Sequence, residues 1–397
     1  MSTDGAGADV GLLSPMTAGA AAEALTGDTA VVAAMIRTEA ALLTTLGQTG
    51  IAPEGAGTAA HAVAATKVDA REIALAAPAG GNPVIPLVTR LRESVPTDLR
   101  EWVHHGATSQ DTLDTALMLI ASDVGDRLSH DLTALADTLA GLAEESRDVP
   151  LVARTLTQQA MPTTLGMRAA GWLAGVHDAR RAIAACSPLP ASLGGPVGTA
   201  AAYGERGPEV LDAFAATLGL RAPVTSWHTR RTPVLELASA LAATGAACAK
   251  IATDVLAMAQ TEVGEVREAP ADGAGGSSSM PHKHNPSQSV LVSAAARQIP
   301  GLLSTVLSNG APENERPAGS WHAEWAPLRS LLRLAGAAAE RTSTLVPTLV
   351  FDHGAMAANL DRLVGSLGKD PAWVEEQISP VGVWIDRVLA EHEQASR

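Results

Sequence analysis

The 397-residue chain is short of positive charge, of aromatic rings and of cysteine, and each shortage removes a class of function. Twenty-eight Lys and Arg stand against 42 Asp and Glu, a formal net charge of −14, so no basic footprint exists for neutralising nucleic-acid phosphates. Aromatic residues make up 3% and charged residues 18%, whereas 46% are hydrophobic, with alanine and leucine recurring throughout. That is the composition of closely packed helices, and a chain this apolar buries a large core rather than remaining disordered. The two cysteines, Cys186 and Cys248, are too few and too far apart for a disulfide framework and read as reduced and buried. No basic segment followed by an apolar run opens the chain. The longest uncharged stretch, from Ala182 to Gly204, is interrupted by Pro188, Pro190 and Pro196 and cannot form a smooth membrane helix. The expectation is a cytoplasmic protein without membrane or nucleic-acid partners.

What is present is helical periodicity. Residues 16–76 read as short helices, one of them Ala59 to Leu75, followed by a Gly/Pro loop from Pro78 to Pro86. Leu128, Leu132, Leu135, Leu139 and Leu142 alternate at four and three residues, one seam on a helix over 127–146. Leu237, Leu241, Thr244, Cys248, Ile251, Val255 and Met258 form a second, longer seam. Further helices are expected at 162–185, at 286–307 with a bend near Pro300, and at 327–345. The expected organisation is an N-terminal helical domain over 1–98, a long-helix bundle over 99–345 and a short C-terminal segment over 346–397. The seams contain many small residues, which let helices approach closely, so some faces are expected to be buried against other subunits.

Four polar clusters interrupt this pattern. The first, GGSSSMPHKHNP from Gly275 to Pro286, is half explained as a Gly/Ser linker. Its second half carries Met280, His282, Lys283 and His284 into a helix start, with Asn285 expected as the cap and Pro286 at the first helical position. A lysine beside the positive end of a helix suits an anionic ligand. The second cluster, HHGATSQDTLDT from His104, holds Thr108 and Ser109, which serve equally well as a helix cap or as ligand donors. The third, ARTLTQQAMPTT from Ala153, offers Arg154, Thr155 and Gln158 to a carboxylate. The fourth, ENERPAGSWHAEW from Glu313, places Arg316 and His322 beside two tryptophans of the sort that anchor cores and interfaces. His104, His105, His282, His284, His322 and Glu324 are conceivable metal ligands, yet neither HExxH nor CxxC spacing occurs, and no metal is expected. Nucleotide-binding and nucleophile-elbow motifs are missing too, and no cofactor is expected.

Residues 276–286 fit GSSxMPxKxNP and resemble the signature of the aspartase/fumarase superfamily, while GATSQDTLDTA and ARTLTQQAMPTTLG resemble its first and second conserved regions. LGGPVGT, WHTRR, KIATDVLAMAQTEVGEV and NERPAGSWHAEW look most like the bacterial 3-carboxy-cis,cis-muconate cycloisomerases, with adenylosuccinate lyases next. The resemblance implies an all-α homotetramer with a central bundle of long helices and active sites shared between subunits. It implies a small-molecule polycarboxylate substrate and proton abstraction beside a carboxylate through an aci-carboxylate intermediate. Ser277 matches the family base, and Lys283 and Asn285 match positions holding the carboxylate. Thr108, Ser109, Thr155 and Gln158 match substrate-binding positions; Arg154, Gln159, Met280, His282 and Arg316 are further candidates for lining the site. Fixed positive charge and donors are what such an intermediate needs.

Three departures mark this chain. Fumarases and adenylosuccinate lyases place histidine after the Arg-Thr pair, where this chain has Leu156; the cycloisomerases carry it three residues later, at Gln159. The cycloisomerase signature commonly has arginine where His284 stands. The chain also looks as though the family's small C-terminal helical domain is largely deleted. The leading expectation is a cycloisomerase-like enzyme; the alternatives are a succinate-derivative lyase, of nitrosuccinate or aminosuccinate type, and an inactive tetrameric scaffold.

Overall fold

The computed structural model describes residues 10–269, 276, 280 and 283–395. The chain begins with α1 (Ala21–Leu25), α2 (Asp28–Gln48), α3 (Ala56–Ala64), α4 (Ala70–Gly80) and α5 (Val84–Glu93). The single helix expected over 59–75 is two: α3 ends at Ala64, and α4 restarts where the Asp69 carboxylate accepts the Arg71 N–H at 2.9 Å. The expected Pro78–Pro86 loop is also shorter. Pro78 lies inside α4 and Pro86 in the first turn of α5, where a missing N–H leaves no helical bond unmade.

The centre is built from α6 (Ser109–Glu145), the strands β1 (Pro150–Thr155) and β2 (Gln158–Thr164), α7 (Leu165–Cys186), α8 (Gly207–Leu218), α9 (Thr232–Met258), β3 (Val266–Glu268), α10 (Ser287–Ser308) and α11 (Ser320–Leu345). Helices α6, α7, α9, α10 and α11 pack on one another as a bundle. The first leucine seam lies on α6, where Leu128, Leu132, Leu135 and Leu139 are fully buried. The second lies on α9 with all seven of its residues buried. At roughly 25 cal/mol per Å² of apolar surface, such stripes supply the main drive for assembling the bundle. Among the described residues the fold is all-α apart from two small antiparallel pairs, β1 with β2 and β3 with β4 (Leu349–Phe351).

Helix α7 starts at Leu165 rather than near 162, because 158–164 pair with β1. Helix α10 is capped at Pro286 and not at Asn285: the Glu268 carboxylate on β3 accepts the Ser289 N–H at 2.8 Å and the Gln288 N–H at 3.1 Å. The short C-terminal segment is structured as α12 (His353–Leu367), α13 (Pro371–Ile378) and α14 (Val381–Ala395). Leu360, Leu363 and Val374 of α12 and α13 close over Val152 of β1, and Ile385 of α14 packs on Ala143, Ala169 and Ala170. By length and composition α2, α9 and α10 are each apolar enough to cross a membrane, a point that the uncharged-stretch argument misses because a span tolerates a charge or two. In α10 only 28% of that apolar window is buried in the chain, and Val290 and Leu307 stand half exposed.

Candidate functional site

The candidate residues fall into groups at the two ends of the bundle. At one end, α6 begins immediately after Thr108, whose N–H donates to Asp111 Oδ2 at 3.0 Å. Arg316, arriving from the loop before α11, donates through Nη2 to Thr108 Oγ1 at 2.6 Å and to the Pro196 carbonyl at 3.3 Å. Ser109 is half-buried beside them. The structure thus joins the second and fourth sequence clusters with the LGGPVG loop.

Asp111 organises this end. It accepts the Gly194 N–H and the Gly195 N–H, both at 2.8 Å, and the Ser192 hydroxyl at 3.1 Å, and it meets His228 Nε2 at 2.6 Å. Burial is the largest influence on its carboxyl and pushes it up, but His228 and the glycine amides together hold it below the usual carboxylate range. The loop must approach closely for this. A Cβ on Gly195, whose φ is +70°, would meet the Gly106 carbonyl at 2.8 Å, and one on Gly106 would meet Tyr203 at 2.6 Å. Beneath it, Arg231 donates to Asp114 at 2.7 Å and to Glu324 at 2.7 Å, while Trp321 Nε1 donates to Asp114 at 2.9 Å. Glu324, weighed from the sequence as a metal ligand, is committed to this buried ion pair. Among the described residues no group of three His, Cys, Asp or Glu side chains is arranged to hold a metal.

The other end carries the hairpin. Leu156 (φ 49°) and Thr157 (φ 67°) make its two-residue turn, both left-handed and neither a glycine. Thr155, Leu156, Gln158 and Gln159 are exposed at its tip, Leu156 at 95%. Arg154 behaves differently from its neighbours. Its guanidinium forms a bidentate pair with Glu265, at 2.8 and 3.0 Å, and Asn359 of α12 donates to the same carboxylate at 2.7 Å. Arg154 therefore fixes the hairpin base instead of standing free for a ligand within the chain.

The described part of the signature segment is also here. Gly276 bridges His284, the Lys283 N–H donates to the Met280 carbonyl at 3.0 Å, and the Ser287 N–H donates to the Asn285 carbonyl at 2.8 Å. Lys283, His284 and Met280 are exposed and Asn285 is half-buried. Ser277 and His282 lie outside the described residues.

Helix α6 connects the two ends directly, and its 37 residues span about 55 Å. Thr108 and Ser109 therefore do not meet Thr155 and Gln158 within one chain. In the sequence Asp111 stands only as part of HHGATSQDTLDT, His228 and Arg231 only as part of WHTRR, and Glu265 only as part of KIATDVLAMAQTEVGEV. For Asp111 the available signal was a carboxylate at the start of an apolar helical segment, where a buried charge requires a partner; His228, Arg231 and Glu265 stand outside the helices and carry no such periodic signal.

Comparison with known proteins agrees with this fold. A family model described as lyase matches residues 21–301. The nitrosuccinate lyase of Streptomyces davaonensis is 41% identical over 372 residues, covering 90% of this chain and 78% of that protein. The 3-carboxy-cis,cis-muconate cycloisomerase of Bradyrhizobium diazoefficiens is 38% identical over 360 residues, covering 89% and 80%. The crystal structure of the 3-carboxy-cis,cis-muconate lactonizing enzyme of Pseudomonas putida superimposes with a TM-score of 0.86 at 32% identity, covering 95% of this chain and 98% of that one. The bundle of long helices and these matches together make the chain an enzyme of the lyase family within the aspartase/fumarase superfamily.

Proposed function

We propose that the enzyme eliminates a self-stabilised anion from a substituted succinate, with nitrosuccinate as the substrate and fumarate and nitrite as the products. Ser277, as alkoxide, takes the proton beside the carboxylate; the electron pair moves through the aci-carboxylate, the C–N bond breaks and nitrite leaves with its pair. Lys283 and Asn285 hold the carboxylate that gains charge, and Thr108, Ser109, Thr155 and Gln158 bind the carboxylates of the substrate. The observation that carries this reading is the hairpin tip: Leu156 matches the position where fumarases and adenylosuccinate lyases place histidine, Gln159 the one where cycloisomerases do, and both are exposed. Neither side chain can protonate a departing amine or hydroxide. Nitrite, a weak base, needs no such acid.

The cycloisomerase reading remains second, supported by the 38% identical relative and the TM-score of 0.86. Its reaction in reverse also expels a stable anion, a carboxylate, so the missing acid does not separate the two. His284 does. Replacing the arginine that cycloisomerases commonly carry removes a permanent charge where a tricarboxylate would need one. A homotetramer is part of the proposal: the separation of the groups along α6 and the uncovered apolar face of α10 both call for a second copy.

The test is incubation of the purified enzyme with nitrosuccinate, with Ser277→Ala as control, following fumarate by ultraviolet absorbance and nitrite by diazo coupling. Equal release of both by the unmodified enzyme alone is expected. Consumption of 3-carboxy-cis,cis-muconate instead would install the second reading, and turnover of neither would overturn both.

A further inference from the structure

A cavity of about 620 Å³ opens at the base of the hairpin, between α7 and α9. Its volume lies within the roughly 300–1,000 Å³ of small-molecule sites. Three cations line it, Arg154, Arg168 and Lys250. Two carboxylates pair with them, Asp254 on the cavity wall and Glu265 buried behind Arg154, and both are already satisfied. Glu265 is held by Arg154 and Asn359, while Asp254 accepts Lys250 Nζ at 2.6 Å and Trp172 Nε1 at 2.7 Å.

Arg168 is left over. Among the described residues its guanidinium makes no hydrogen bond or salt bridge, although it is more than half withdrawn from solvent in the first turns of α7. Burial, the largest influence, and the neighbouring Arg154 push it below its ordinary value, against the longer-range pull of Asp254 and Glu265. A guanidinium stays protonated under such a shift and offers a planar fork of donors to an oxyanion. Trp172 and Met258 supply an apolar wall beside it. The cavity reaches Thr157 in the hairpin turn, but Thr155 and Gln158, the donors assigned to the substrate, do not line it, and Arg154, which does, is committed to Glu265.

We propose that this cavity is a second anion-binding site, in which Arg168 grips a carboxylate or phosphate group and Lys250 adds charge at the mouth. The surplus of one positive charge and the partnerless fork carry the assignment, and it stands independently of the elimination reading. The experiment is isothermal titration of the full-length Lys283→Ala protein, which weakens the proposed substrate site, with inorganic phosphate and, separately, with benzoate. Phosphate binding would identify a phosphate site; benzoate binding would identify an organic-carboxylate site that uses the Trp172 wall. Adding Arg168→Gln to that background is expected to weaken the bound anion about tenfold to a hundredfold, the scale of one charge-assisted pair. Lys250→Gln, at an exposed position that leaves folding intact, is expected to weaken it less. Binding of neither anion, or equal affinity after Arg168→Gln, would overturn the proposal. Should Arg168→Gln fail to fold, unchanged affinity in Lys250→Gln does the same.

Discussion

Asp111 and His228 stand 117 residues apart in sequence, yet Oδ1 and Nε2 meet at 2.6 Å with both side chains almost wholly buried. This pair ties the first turn of α6 to the WHTRR segment, and the glycine amides on the same carboxylate bring in the LGGPVG loop.

Asp111→Asn is expected to cost on the order of 3 kcal/mol, because a buried imidazole and two amides lose a charged acceptor together. Urea unfolding at neutral pH measures it. The pH dependence has a definite sign. Since the folded carboxyl is held below its ordinary value, its stabilisation is fully present above the usual carboxylate range and is lost as pH falls through that range towards the folded value. His104 acts in the opposite direction. Burial is the largest influence and lowers it, but Glu39 at 2.7 Å outweighs burial, and the net shift is upward. Its stabilisation is complete below the usual histidine range and fades as pH rises through the folded value. Unfolding midpoints of the unmodified protein should fall on the acid side, and Asp111→Asn should flatten that limb.

Arg231→Leu should destabilise by about 3–5 kcal/mol, leaving Asp114 and Glu324 as uncompensated buried charges. Adding Asp114→Asn and Glu324→Gln to the same chain should recover part of the loss. Thermal unfolding of the single and triple variants decides this; a triple variant weaker than the sum of its parts contradicts the charge explanation.

Ser277→Ala should abolish turnover with the circular dichroism spectrum unchanged, while Lys283→Ala should lower kcat/KM by at least tenfold. Near-normal turnover in the first removes the serine base, and unchanged kcat/KM in the second removes Lys283 from the site.

Gln159→His restores an acid where the cycloisomerases carry one. With nitrosuccinate kcat should change little, because nitrite leaves unaided, but an imidazolium beside the substrate carboxylates should aid binding below the histidine range and give the kcat/KM profile an inflection there. Identical profiles would show that the tip of the hairpin faces away from the substrate.

The long seams were legible because each places apolar residues on one helix face at a spacing that no strand shares. Leu128 to Leu139 and Leu237 to Met258 are buried as that pattern demands. The hairpin was not legible. Residues 158–164 become a strand through pairing with 150–155, and the Arg154–Glu265 pair that anchors them joins residues 111 apart. Asn285 and Pro286 carried a sound local signal for a helix start, but Glu268, 20 residues before Gln288, supplies the cap instead. The residues of the site were readable as motifs; their distribution over two distant ends was not, because the length of α6 depends on residues 109–126, whose threonines and aspartates break the apolar rhythm while remaining mostly buried.

That length has a genetic meaning. In the assembly proposed here, a chain damaged at Thr155 still presents a sound Thr108, and a chain damaged at Thr108 still presents a sound Thr155. Two such lesions carried on separate polypeptides can meet in one oligomer and leave some pockets wholly intact, whereas the same two lesions on a single polypeptide spoil every pocket. Activity then depends on how the damage is distributed among the copies.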